Sequence, residues 1–445
     1  PSVISPSGHL PLETDYLRIS SPEEIRICDP ACGSGHMLTY AFDLLYAIYE
    51  EEGVDPAEIP EKILTHNLHG IEIDERAGEL AAFALTMKAR SRSRRFFRKP
   101  VMPNICVLEN VHFDESELGE VISDQWSVAS GASREAILHD LNLFEEADNF
   151  GSLVRPHLTS EQCTKLRDYL TGHWSLATNP SLFEQATLNK VKVALEQASY
   201  LSPKYHVVIA NPPYMGSGGM NERLKKFLGD EYPEAKSDLM TCFMDRCGTL
   251  SRKDSMIGMI NLPSWLFLGS FEKFRFKLLK NTTIASLIHL GRGMFGADFG
   301  SVAFVLRNAT TSNSLGIYRR LFVKQSEVAS VEVLKSRFFD PSYGLYAVNQ
   351  KEFLRLPGYP IGYWISPAMR RAFIEFDAVE KIADARIGMA TGKNDLYIRA
   401  WHEVALARVG YQMPSREEAK LSGRKWFPHA KGGEFRKWYG NSEYV

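Results

Sequence analysis

The feature that most limits what this chain can fold into is an alternation of two hydrophobic periods along its length. Seven short apolar runs of strand character lie at residues 25–29, 68–73, 104–108, 206–210, 256–261, 284–290 and 301–306. Between the first two, Leu38, Phe42, Leu45, Ile48 and Tyr49 recur at helical spacing. Further helix-like stretches occupy 77–89, 238–250 and 270–279. Strands alternating with helices predict an α/β fold, a doubly wound and mostly parallel sheet covered on both faces. The last two runs are joined only by residues 291–300, too few for a parallel crossover, so the final strand is expected to run antiparallel.

Two regions break the alternation. Residues 111–203 read as a long, polar, largely helical insertion between the third and fourth strands. Beyond 310 the pattern turns irregular and aromatic-rich, which predicts a division into residues 1–310 and 311–445. The opening Pro1 and the run into Val445 lead us to expect a piece of a longer protein.

Hydrophobic residues make up 44% and charged residues 24%, a soluble globular composition. No run of 18 apolar residues and no signal-peptide pattern occurs, so neither a membrane span nor a membrane partner is expected. Six cysteines without a CxxC pair suit free thiols in a reducing cytoplasm better than disulfides or zinc. A net charge of −2 rules out a globally basic nucleic-acid binder, yet seven of the twelve residues 88–99 are Lys or Arg. That cluster reads either as a phosphate-neutralising patch or as a solvated helix end.

Two loops carry the ligand-binding signal. The first run ends in Asp29-Pro30-Ala31-Cys32-Gly33-Ser34-Gly35, whose small residues let a ligand approach the main chain just before a helix N-terminus. No Lys-Ser/Thr pair follows the glycines, so this is not a phosphate-binding P-loop. The second run ends in Gly70-Ile71-Glu72-Ile73-Asp74, where an acid is placed to accept ribose hydroxyl protons, Glu72 being the candidate. Glycines plus an acid, without a grip for phosphate, suit a nucleoside cofactor bearing a carboxylate and an amine.

The fourth run leads into Asn211-Pro212-Pro213-Tyr214. Two prolines stiffen the backbone, so the Asn211 side-chain oxygen and the Pro212 carbonyl point in fixed directions. Two acceptors aimed at one amino group bind both its hydrogens and direct the nitrogen lone pair at a methyl donor. Tyr214 offers a flat face to a planar base. As a bare tetrapeptide the same residues make a tight turn; their place after a strand favours the ligand-binding reading.

Taken in order, Asp-Pro-Ala-Cys-Gly-Ser-Gly, Gly-Ile-Glu-Ile-Asp and Asn-Pro-Pro-Tyr resemble the gamma-type N6-adenine DNA methyltransferases. The resemblance covers roughly residues 25–306 outside the insertion, and extends through Lys236-Ser237-Asp238-Leu239, residues 260–266 and the turn Met294-Phe295-Gly296. It implies a Rossmann-like class I methyltransferase sheet of seven strands with the last antiparallel, and S-adenosyl-L-methionine as cofactor. Gly33, Gly35 and Glu72 would hold that cofactor, with Pro30, Ala31 and Ile73 beside them, Asp29 near its amino-acid end, and Glu109 or Asn110 near its adenine. Asn211, Pro212 and Pro213 would hold the target amine, between Tyr214 on one face of a flipped base and Phe295 on the other. No metal is implied. The aromatic-Thr-Pro segment that precedes the glycine loop in this family is missing.

Residues 387–395 resemble the entry to a target-recognition region. Gly-His after the glycine loop, residues 215–220, Trp426-Phe427-Pro428 and Lys431-Gly432-Gly433 are most similar to the PglX-type methyltransferases of BREX phage-defence systems. The implied partners are double-stranded DNA, other proteins of the defence system and phage-encoded inhibitors. Two other readings stand beside this one: a DNA-binding assembly component that needs partners for turnover, and a methyltransferase acting on a protein glutamine or on RNA.

Overall fold

A computed structural model of the chain describes residues 18–114, 117, 124–175, 182–294, 299–311, 314–383 and 392–445. Residues 1–375 and 376–445 form two compact units.

The first unit is built on one sheet with strand order β3-β2-β1-β4-β5-β7-β6-β8-β9. Its first seven strands are β1 (Ile27–Asp29), β2 (Leu68–Glu72), β3 (Asn104–Val107), β4 (Tyr205–Ala210), β5 (Ser251–Asn261), β6 (Thr283–Arg292) and β7 (Gly300–Arg307). Each coincides with one of the seven expected runs. Strands β3, β2, β1, β4 and β5 are parallel, while β7 is antiparallel to both β5 and β6, as its short connection required.

The sheet has nine strands rather than seven. β8 (Leu315–Arg320) pairs parallel to β6, and β9 (Leu345–Asn349) pairs antiparallel to β8. The expected division at 310 therefore falls inside a single sheet. Neither strand reads as an apolar run: β8 is Leu-Gly-Ile-Tyr-Arg-Arg, and β9 is a five-residue edge strand with Val348 alone buried. β9, at the sheet's edge, buries little, and β8, inside the sheet, has its short apolar stretch cut off by Arg319 and Arg320.

Among the described residues of this unit, the helices of seven residues or more are α1 (His36–Glu51), α2 (Glu75–Arg92), α3 (Asp124–Ser130), α4 (Arg134–Asn142), α5 (Ser160–Ser175), α6 (Leu182–Leu201), α7 (Glu222–Glu231), α8 (Leu239–Leu250), α9 (Glu272–Asn281), α10 (Val331–Phe339) and α11 (Pro367–Glu375). α1 and α2 cover one face of the sheet, with Leu38, Phe42, Leu45 and Leu85 in their core. α2 starts under the Asp74 cap, whose carboxylate accepts the Ala77 N–H at 3.1 Å.

The insertion is the other covering layer. Trp126, Ile137, Leu141, Leu166 and Leu195 share one core with Cys28 of β1, Ile71 of β2 and Val208 of β4. It is helical as expected, with no strand among the described residues, but it is not a polar appendage. A buried arginine ties it to α8. Arg246, 2% exposed, donates to the carbonyls of Ser152 (2.7 Å) and Leu201 (2.7 Å) and to the Thr249 hydroxyl (2.9 Å). Removing that side chain would strand two buried carbonyls.

All six cysteines are free and buried. No helix among the described residues is long and apolar enough to cross a membrane. The second unit consists of short helices and isolated bridges, Ala400 with Tyr444, Val409 with Trp426 and His429 with Tyr444. Of the expected target-recognition entry, 387–391 lie outside the described residues.

Candidate active site

The chain order runs outward from β1 to β2 and β3, then returns to place β4 on the other side of β1. In a doubly wound sheet such a reversal opens a crevice at the carboxyl ends of the two central strands. β1 ends in Asp29 and β4 runs into Asn211, so both motifs named from the sequence lie at that crevice. The β1–β4 register, with Cys28 opposite Val208, carries Asn211 beyond Asp29 toward the open edge.

The first wall is the glycine loop. Gly33 and Gly35 have φ of 51° and 81°, a left-handed conformation costly for any side chain. A Cβ on Gly35 would also meet Ala81 of α2 at 3.1 Å, so this glycine lets two helices approach as well as turning the chain. Glu72 locks the loop from β2. One carboxylate oxygen accepts the Gly33 N–H at 2.7 Å, and the other accepts from Ile73 (2.9 Å) and Asp74 (3.2 Å). A carboxylate offers about four lone-pair positions, so one acceptor position is left for a ligand hydroxyl. Glu72 is thus a structural clamp with an acceptor position to spare, and the clamp is a use of the side chain that the sequence did not reveal.

Asp29 is 1% exposed, and its oxygen accepts the Ala31 N–H at 3.1 Å. Burial pushes its carboxyl up to about 7, opposed by that hydrogen bond and reinforced by the nearby Glu72. Near neutral pH this group is poised to gain charge when a cation arrives.

The second wall is Asn211-Pro212-Pro213-Tyr214, with Asn211 exposed, Pro212 buried and Tyr214 half-buried. The Tyr214 hydroxyl donates to the Asn211 side-chain oxygen at 2.6 Å and to the Ile260 carbonyl at 3.3 Å. Burial raises the Tyr214 hydroxyl pKa, which keeps it a donor. The carboxamide oxygen of Asn211 is thereby aimed, with its second lone pair free.

A cleft of about 460 Å³ joins both walls, touching Pro30, Ala31, Glu72 and Ile73 on one side and the Asn-Pro-Pro-Tyr turn on the other. That volume suits a small-molecule ligand. Its lining contains Glu72 and no Lys, Arg or His. Such a surface repels phosphate and favours a cationic ligand, so the residues fit a nucleoside carrying a sulfonium and an amine.

The remaining wall comes from places the sequence did not single out. Phe150, Ser152 and Leu153 of the insertion and Phe243 of α8 close the cleft. Ser152 donates to the Pro30 carbonyl at 2.5 Å, and Phe150 stacks on Phe227 at 4.3 Å. Only Leu239, at the end of the quoted Lys-Ser-Asp-Leu stretch, had a sequence signal.

Of the other expected contributors, Asp29, Gly33 and Gly35 belong to the loop but do not line the cleft. Three more stand apart. Asn110 does not line the cleft; its side-chain oxygen accepts the Asp148 N–H at 3.0 Å. The Glu109 N–H donates to Gln197 at 2.6 Å. Phe295 lies outside the described residues.

The basic cluster is at the opposite end of the fold. α2 leaves the crevice edge and its 18 residues carry the chain about 27 Å to the far edge. There Lys88 and Arg92 pair with Asp43 at 2.6 and 3.2 Å, and Lys99 with Glu61 at 3.7 Å. Three of the seven basic residues are therefore paired, with two carboxylates, within the fold.

Compared with known proteins, the sequence matches the family described as Eco57I restriction-modification methylase over residues 66–295, just over half the chain. The description MmeI, DNA-methyltransferase domain, matches over residues 17–105. The adenine-specific methyltransferase BrxX of Escherichia coli O9:H4 (strain HS) is 33% identical over 441 residues, covering 95% of this chain and 36% of that protein. The adenine-specific methyltransferase PglX of Lacticaseibacillus casei (strain Zhang) is 33% identical over 444 residues, covering 95% and 35%. The chain thus spans about a third of the length of these curated relatives. Among solved structures, the DrdV–DNA complex aligns with a TM-score of 0.43 at 12% identity, covering 73% of this chain and 27% of that one.

Proposed function

This chain belongs to the Eco57I restriction-modification methylase family, and on that premise we propose that it methylates N6 of an adenine flipped out of double-stranded DNA, with S-adenosyl-L-methionine as donor. The observation that carries the reading is the single cleft shared by the glycine-loop wall and the Asn-Pro-Pro-Tyr wall. A donor bound on the first wall and an amine bound on the second meet inside it.

The residues divide the work. Asp29 and Glu72 supply negative charge and a hydroxyl acceptor on the donor side, while Gly33 and Gly35 let the main chain come close. Asn211 and the Pro212 carbonyl take the two amine hydrogens, which stabilises the positive charge that develops on the nitrogen as its new bond forms. Tyr214 stacks on the base and aims the Asn211 oxygen. Extruding an adenine costs a few kcal/mol, offset in part by that stacking. The cofactor, when bound, supplies a methyl group already activated on a sulfonium. Marking host DNA within a BREX-type defence system is the proposed purpose, and residues 376–445 the proposed start of a target-recognition region.

The test is transfer of labelled methyl from S-adenosyl-L-methionine to duplex DNA, followed by nucleoside digestion. N6-methyladenine is the expected product. Label in RNA or in a glutamine peptide and none in DNA would overturn the substrate assignment. Cofactor binding without transfer, relieved only by partner proteins, would favour the assembly-component reading.

A further inference from the structure

A second cleft, of about 500 Å³, opens at the same carboxyl edge of the sheet and plays no part in the chemistry above. Its walls are the loop after β5 (Leu262 to Leu268), His289 of β6, and Arg320, Phe322 and Trp364. The loop is held rigidly. Arg275 of α9, 1% exposed, donates to the carbonyls of Trp265 (2.9 Å) and Leu268 (2.6 Å).

Two properties define what this cleft accepts. First, it is aromatic: Phe267 meets Trp364 edge-on at 5.3 Å, and His289 meets Phe322 edge-on at 4.8 Å. Second, it holds one positive charge without a counter-charge. The Arg320 guanidinium lies over Phe322 at 4.5 Å and near Trp364 at 5.4 Å. Among the described residues Arg320 makes no ion pair, and its Nε is buried without a hydrogen-bond partner. His289 adds no second charge, since burial and the Arg320 guanidinium push it down to about 4. An unanswered guanidinium repels cations and calls for an anion, while the rings call for a planar apolar group.

We infer that this cleft is a nucleotide site, in which Arg320 takes a phosphate and Phe267 and Trp364 take the base. Ser264 and Gln325, also on the wall, present polar groups to a base edge. Its position favours a nucleotide of the DNA strand near the target adenine over a free nucleotide. β5 is the neighbour of β4, and β6 lies two strands further. At about 4.8 Å per strand the cleft spans roughly 5–19 Å from the strand that bears Asn211, with Arg320, on β8 beyond β6, at the far end. Phosphates recur every ~3.4 Å of rise along one strand, so the cleft lies within a few nucleotides of the flipped base. The DNA assignment rests on the proposed function; the nucleotide chemistry does not.

The experiment compares the protein with R320Q, R320K and W364L. Binding of duplex DNA is measured across a salt series, and binding of thymidine monophosphate and deoxyadenosine monophosphate by calorimetry. Cofactor affinity, read separately, reports that each variant is folded. For a strand nucleotide, R320Q binds duplex about tenfold more weakly and its salt slope falls by ~0.9, the value for one phosphate. R320K then keeps the slope, and W364L loses affinity with the slope unchanged. If R320Q leaves duplex binding intact but abolishes mononucleotide binding, the occupant is a free nucleotide. If neither measurement responds to R320Q or W364L in folded protein, the site assignment is overturned while methyl transfer stands. Wild-type protein that binds mononucleotides through Arg320 but neither binds nor methylates duplex DNA would remove the proposed function and keep the site.

Discussion

Replacing Asp29 by asparagine isolates the buried charge at the start of the glycine loop. In the ligand-free protein the carboxyl titrates at about 7, against ~3.9 for an unperturbed aspartate. The folded state therefore keeps its proton through a window where the unfolded chain has lost it, and stability falls as pH rises from about 4 to about 7. Across those three pH units the ionised group costs ~4 kcal/mol, because burial outweighs the single Ala31 hydrogen bond. Asparagine keeps the shape and the acceptor for Ala31 but removes the charge. D29N should thus melt higher than wild type at pH 8 and match it at pH 4.

Under the proposed function the same charge, next in sequence to the cleft-lining Pro30, attracts a cationic cofactor. If only ionised Asp29 binds it, the free energy of binding includes that of releasing a proton, and wild-type affinity rises about 15-fold between pH 5.5 and pH 7.0. An α-amine remains protonated over that range, and no histidine lines the cleft. Calorimetric titration with S-adenosyl-L-methionine at the two pH values reads the effect directly. D29N should bind more weakly at pH 7.0, with affinity independent of pH. A wild-type affinity that stays flat, or a D29N protein that keeps the wild-type pH dependence, would refute the reasoning.

Asn211→Ala should lower methyl transfer by ~10²–10³-fold, the scale for one transition-state acceptor or donor, while cofactor affinity stays within about twofold; single-turnover transfer and titration check both. Glu72→Ala should weaken cofactor binding by ~1.5–3 kcal/mol, the value of a hydrogen bond to a charged group, and should loosen the Gly33 loop, seen as faster amide exchange there. Tyr214→Phe keeps the ring but frees the Asn211 oxygen, so kcat should fall with little change in KM for DNA, whereas Tyr214→Ala should raise KM as well. Arg246→Met strands the Ser152 and Leu201 carbonyls, and urea unfolding should show a loss of ~2–4 kcal/mol; an unchanged midpoint would deny its role as the tie between insertion and sheet.

Local sequence determined a large part of this protein. Strands buried on both faces must be apolar runs, and helices packed on one side must repeat at 3.6 residues, so the first seven strands and four of the helices between them were legible without any contact in view, while Glu222–Glu231 was not. The two ligand loops were legible for a related reason. Positive φ at Gly33 and Gly35 and a rigid Asn-Pro-Pro-Tyr turn are backbone demands that few residue types meet. Tertiary structure decided what sequence spacing cannot encode. That β4 returns beside β1, bringing Asn211 to the mouth of the Asp29 loop, depends on pairing between distant segments. That the insertion is a core layer, with Ser152 and Phe150 walling the cleft, follows from its helices burying one face against the sheet. β9 escaped the pattern as a short edge strand, and β8, though paired on both sides, because it ends in two arginines and offers too few apolar residues to form a run. The clamp that Glu72 places on the Gly33 loop and the lone charge of Arg320 are properties of surroundings, since the same side chains with other neighbours would be ordinary surface residues.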